Sequence, residues 1–102
     1  MEIKRQSDGS TLNVSVAGRI DTSTAPDFES GVKPYLDGVT SLVIDFKDVD
    51  YISSAGLRVL LILQKAMNKQ GEMKLINVDE VIAEIFVVTG FDSIITFDTV
   101  FR

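Results

Sequence analysis

The chain has no cysteine and no histidine. The first absence excludes disulfides, thiolate metal sites and a cysteine nucleophile. The second excludes Ser–His catalysis and removes the commonest zinc ligand. Ten Lys and Arg stand against fifteen Asp and Glu, for a net charge of −5. No stretch gathers the basic residues, so the electrostatic footprint of a nucleic-acid binder is missing. Long apolar runs are missing too. The longest aliphatic run, Val59 to Leu63, falls far short of the roughly 20 residues of a membrane span. The N-terminal MEIKRQSDG lacks the apolar core of a signal peptide. Gly18, Gly31, Gly38 and Gly71 are too scattered for a phosphate-cradling loop. What remains is an ordinary globular balance, 45% apolar and 25% charged over 102 residues. The expectation is one domain covering 1–102, cytoplasmic, with no cofactor and no metal.

Periodicity divides the chain into strands and helices. Met1 to Gln6 alternates weakly and reads as an edge strand. Asp8-Gly9 suits a tight hairpin. From Thr11 to Ile20, Leu12, Val14, Val16 and Gly18 share one face. Thr24 with Asp27 resembles a capping box, and Pro26 is acceptable in a first helical turn. Phe28, Val32 and Leu36 would face the core. Pro34 predicts that this helix kinks or ends early, with Gly38 as a stop. Leu42 to Phe46 is a buried strand, and Lys47-Asp48-Val49-Asp50 a polar turn carrying a solvated pair of carboxylates. A second helix follows Ser53-Ser54-Ala55-Gly56 and closes at a left-handed Gly71. Met73, Leu75 and Ile76 form a strand. Asp79 caps a third helix with an apolar stripe of Val81, Ile82, Ile85, Phe86 and Val88, ended by Gly90. Ile94, Ile95 and Phe97 form the last strand.

The order β-β-α-β-α-β-α-β implies an α/β fold with a mixed sheet, packed with helices through right-handed crossovers. The expected core is Val14, Val16, Val43, Ile44, Phe46, Leu60, Leu61, Leu75, Ile85 and Phe86.

The stretch with most chemical interest runs from Ile52 to Arg58. Two serines sit where a loop leaving a strand becomes a helix, with free N–H groups and the positive end of the dipole. One reading is an N-cap. Another is a phosphorylation site, because a phosphate there meets those N–H groups. A catalytic serine has no histidine to activate it. Gly56 either lets a bulky group approach or packs tightly on the preceding strand. Asp21, Thr22, Ser23 and Thr24 also link a strand to a helix. In a parallel sheet such loops gather at the strands' carboxyl ends, so Asp21 and Ser54 can share a surface. Alternatively, Asp21 and its neighbours only cap the first helix. On the second helix Arg58, Lys65 and Lys69 share a face with Ile62 among them. That pattern fits a partner contact or coverage by a neighbouring loop.

The block VIDFKDVDYISSAGLRVLL, with Gly18-Arg19-Ile20-Asp21, Gly71-Glu72-Met73 and Thr89-Gly90-Phe91 around it, resembles the STAS-domain family. It is most similar to the free-standing bacterial anti-sigma factor antagonists. The resemblance implies a STAS-like fold and a non-enzymatic, phosphorylation-gated binding module. Unphosphorylated, such a module binds an anti-sigma factor with serine kinase activity and frees a sigma factor. A serine phosphatase restores it, with no nucleic-acid partner and no direct membrane insertion. The implied phosphoacceptor is Ser54, with Ser53 second because this chain has Ser53 where many members have Asp. The expected partner surface is Asp21, Thr22, Ser23, Thr24, Ser53, Ser54, Ala55, Gly56, Leu57, Arg58 and Ile62, with Arg58 and Ile62 exposed on the basic stripe. The competing expectation is a non-enzymatic STAS subunit of a membrane transport or signalling assembly, without phosphorylation.

Overall fold

The computed structural model describes residues 1–100. Among them the elements run β1 (Glu2–Asp8), β2 (Thr11–Ile20), α1 (Ala25–Val32), β3 (Ser41–Ile52), α2 (Ser54–Asn68), β4 (Glu72–Asp79), α3 (Glu80–Thr89) and β5 (Thr96–Val100). Short 3₁₀ turns at Lys33–Tyr35 and Phe91–Ser93 follow α1 and α3. The strands lie in the order β1-β2-β3-β4-β5. β1 is antiparallel to β2, and the later pairs are parallel. The expected mixed α/β sheet is the observed one.

Register explains the core. Leu12, Leu42 and Met73 form one row across β2, β3 and β4, and Val14, Ile44 and Leu75 the next. All six are buried. Phe97 extends the second row onto β5 and meets Phe86 of α3 edge-on, with ring centroids 5.0 Å apart. Right-handed crossovers between neighbouring parallel strands place the three helices on this same face. Leu60, Leu63 and Met67 of α2 and Ile82 and Phe86 of α3 close the core from above. The opposite face carries Asn13, Ser15, Lys47 and Asp48, all exposed. Of the ten expected core residues, Val43, Leu61 and Ile85 are only partly buried. Val43 points to the open face, and Leu61 and Ile85 lie on helix flanks.

Several local expectations are corrected. The hairpin loop is Gly9-Ser10, since Asp8 pairs with Thr11. Gly9 takes φ 62, the left-handed first position that a type II′ turn reserves for glycine. Lys47 to Asp50 is not a turn but the continuation of β3. Two register shifts against β2 each absorb one extra β3 residue, and Val49 is buried between them. Thr24 stands at the N-cap of α1 but makes no side-chain cap, so the capping box with Asp27 does not form. Val81 and Val88 are 70% and 77% exposed, because α3 is a flanking helix that buries only a narrow stripe. β5 begins at Thr96, after an exposed Ile94 and a buried Ile95.

Other local expectations match. α1 ends at Val32, and Pro34 falls in the 3₁₀ turn. Asp79 caps α3, its carboxylate accepting from Ile82 N–H at 2.9 Å. Gly90 closes that helix at φ 80.

Gly71 is needed for a different reason from the one expected. It is not in the left-handed region, but a Cβ there would overlap the Thr40 carbonyl. The chain between α2 and β4 crosses directly over the entry to β3, and Glu72 N–H bonds to Thr40 O at 3.0 Å. Gly71→Ala must therefore shift backbone against backbone. A loss of about 1–3 kcal/mol, typical of overpacking, is expected in urea unfolding. A change of only a few tenths would contradict this crossing.

Candidate functional site

β2 and β3 end together, with Ile20 opposite Ile52. The chains that leave them are joined by one hydrogen bond, from Ser53 N–H to the Ile20 carbonyl at 2.8 Å. This bond sets the 21–24 loop beside the start of α2.

The 21–24 loop is built around the Asp21 carboxylate. Its Oδ1 accepts from Ser23 N–H at 3.0 Å, Ser23 Oγ at 2.8 Å and Thr24 N–H at 3.1 Å, and Thr24 Oγ1 lies 3.2 Å away. Thr24 Oγ1 also lies 2.8 Å from Asp21 N–H and 2.7 Å from the Arg19 carbonyl, accepting from the first and donating to the second. That engagement is why it cannot cap α1. Donors from Ser23 and Thr24, the Ser23 hydroxyl foremost, hold the Asp21 carboxyl below the usual carboxylate range. Its second oxygen is 3.8 Å from Arg19 Nε.

Ser53 is the N-cap of α2, with an extended backbone at φ −94 and ψ 176. Its Oγ accepts from Gly56 N–H at 3.4 Å. Ser54 is the first helical residue and is exposed. Its hydroxyl has no hydrogen-bond partner among the described residues. The two serines therefore differ: Ser53 is half-buried and engaged, while Ser54 is open to solvent. Gly56 brings α2 down onto the strand ends. A Cβ there would stand 2.7 Å from both Ile20 Cγ2 and Ile52 Cγ1, so tight packing is what its lack of a side chain permits.

Asp21 to Thr24 and Ser53 to Arg58 thus share one surface. Thr22, Ser23, Ser54 and Arg58 are exposed on it, and Ala55 is half-buried. Between Thr22 and Pro26 on one bank and Ala55 and Arg58 on the other lies an open groove of ≈ 280 Å³. Three expected contact residues are corrected. Leu57, 7% exposed, and Gly56 are buried beneath the helix start, so they support the surface and do not form it. Ile62 lies two turns along α2 and is half-buried, not fully exposed as expected. Arg19 and Tyr51 escaped the sequence reading. The Arg19 guanidinium lies over the Tyr51 ring at 4.4 Å. Only the shifted β2–β3 register pairs these two residues, and no local pattern announces it. Among the described residues no cluster of acids could hold a metal ion, and no helix is long and apolar enough to cross a membrane.

A sheet with one antiparallel edge and three helices on one face defines a two-layer α/β domain. The chain belongs to the STAS domain family, whose model matches residues 2–102. The anti-sigma-B factor antagonist of Bacillus subtilis is 36% identical over 85 residues, covering 82% of this chain and 78% of the relative. The crystal structure of an anti-sigma factor antagonist from Mycobacterium paratuberculosis superimposes with a TM-score of 0.84 at 25% identity, covering 94% of this chain and 83% of that one. The fold is also shared with the Bacillus cell fate determinant SpoIIAA in its phosphorylated form, with a TM-score of 0.73 at 15% identity and coverage of 96% and 92%.

The loop chemistry has a pH consequence. A carboxyl whose folded pKa is depressed contributes stability that is present above its unfolded pKa and lost as pH falls through the folded value. Asp21 should titrate by NMR below the ordinary value of about 3.9. Asp21→Asn should flatten part of the acid loss of stability below that point. An Asp21 midpoint at or above the ordinary value would contradict the bonding described here.

Proposed function

We propose that this chain is an anti-sigma factor antagonist whose binding to its partner is switched by phosphorylation of Ser54. The partner is an anti-sigma factor with serine kinase activity, and a serine phosphatase reverses the modification. The observation that carries the reading is the contrast between the two serines. Ser54 offers a free, exposed hydroxyl at the first turn of α2, whereas the Ser53 hydroxyl caps that turn. Sequence relatives named as anti-sigma factor antagonists support the antagonist role. The existence of a phosphorylated form in a protein of this fold supports the switch.

The energetics separate binding from folding. A phosphate adds about −1.5 to −2 charges and meets the N-terminal end of α2. An anion there is favoured by about 0.3–1 kcal/mol, so the fold tolerates it. At a partner interface the same charges must be desolvated, at a cost of several kcal/mol if unpaired. Every ~1.4 kcal/mol lowers affinity tenfold, so binding responds far more than stability.

Melting curves and titrations with the anti-sigma factor test this on Ser54→Ala, Ser54→Asp and the phosphoprotein. Ser54→Ala should bind and resist the kinase. The phosphoprotein should keep its melting temperature within a few degrees and lose about a hundredfold or more in affinity. Phosphate found on Ser53 would move the switch by one residue. A phosphoprotein that binds as tightly as the unmodified chain would end the proposal.

A further inference from the structure

Two arginines border the surface around Ser54, and they are held differently. The Arg19 guanidinium lies over the Tyr51 ring and beside the Asp21 carboxylate. Arg58 is exposed, and its guanidinium has no ion pair, hydrogen bond or ring contact among the described residues. Between Lys47 and Lys65 it is the only base in the chain. Glu29 of α1 lines the same groove as Arg58, half-buried and likewise without an ion pair among the described residues.

Arg58 stands four residues after Ser54 in one continuous helix. Residues at that spacing lie one above the other on one helix face, with Cβ atoms about 5–6 Å apart. Helical side chains lean towards the N-terminus, so a long side chain covers the turn before its own Cα. The turn before Arg58 begins at Ser54. The order is also the favourable one, with the anion N-terminal to the cation. A phosphate offers three acceptor oxygens, and a guanidinium presents a planar fork of donors that matches two of them. The Ser54 hydroxyl carries no charge, so nothing draws Arg58 to it in the unmodified chain.

We propose that Arg58 is the intramolecular partner of a phosphate on Ser54, closing a bidentate ion pair over the first turn of α2. Phosphorylation then changes the surface twice: it adds a dianion, and it engages a guanidinium that was free. The pairing rests on Ser54 being the phosphoacceptor, and not on how the partner responds to the modification.

The test places phosphoserine at position 54 of the full chain during translation, so that no kinase is needed. Phosphorus NMR follows its second ionisation, ordinarily near pH ~6. The charged groups around it are Arg58 on α2, Glu29 on α1, and Asp21 with Arg19 at the 21–24 loop. A nearby cation favours the dianion and lowers that pKa. Arg58→Gln should therefore raise it by about half a unit or more, about threefold in the dissociation constant. Arg58→Lys keeps the charge and loses the fork, and should fall between. Lys65→Gln, two turns further along α2, should leave the value unchanged. The Arg58 Nε–H signal should shift between the unmodified and phosphorylated chains. Both substituted sites are exposed, and far-UV circular dichroism checks that the variants stay folded. Equal titration in the parent and Arg58→Gln phosphoproteins would overturn the pairing. So would an equal rise for Lys65→Gln, which would show only the general field of the basic face. Either outcome leaves the choice of Ser54 intact. Conversely, kinase-transferred phosphate found on Ser53 would overturn that choice, while the titration still decides whether Arg58 grips a phosphate placed at 54.

Discussion

The site rests on one hydrogen bond, from the Ser53 N–H to the Ile20 carbonyl, 2.8 Å long. It is the last rung between β2 and β3 and the first constraint on α2. By fixing the residue before the helix, it fixes where the first turn begins. Gly56 completes the placement by letting that turn settle against Ile20 and Ile52. Remove either, and the first turn loses its seat on the sheet while the rows of Leu12, Val14, Leu42 and Ile44 remain.

The two loops differ in how they are held. The 21–24 loop is tied internally, with the Asp21 carboxylate serving as acceptor for Ser23 and Thr24. The 53–54 turn is tied externally, by the strand bond and by packing beneath it. A negative charge added at Ser54 would therefore meet a preformed helix end. Its neighbour across the surface is a carboxylate already occupied on one oxygen and approached by Arg19 on the other. Under the proposed switch, such a surface would change its charge and keep its shape.

Much of this was legible in the amino-acid order. The alternation of Leu12, Val14 and Val16 and the Leu57–Leu60–Leu61 spacing announce strand and helix because burial on one face imposes those periods. The serines before α2 and Asp79 before α3 are local signals with local causes. What was not legible depends on partners distant in the chain. Val49 reads as part of a polar turn until β2 is laid beside it with two shifts in register. Thr24 reads as a cap until the Arg19 carbonyl claims its hydroxyl. Gly71 reads as a left-handed stop until Thr40 passes over it. The breadth of the buried stripe on α3 is set by where α3 sits over the sheet, so Val81 and Val88 could not be told from core by period alone.

The central claim is that Ser54 stands on a rigid seat, so that modification alters the surface and leaves the fold intact. The most direct test is a comparison of backbone amide chemical shifts between the unmodified and Ser54-phosphorylated protein. Changes confined to residues 20–24 and 53–58, with the Ser53 amide still protected from exchange, are the expected result. Shifts spreading through β4, α3 and β5, or loss of protection at Ser53, would show that phosphate unseats the helix, and would contradict the claim.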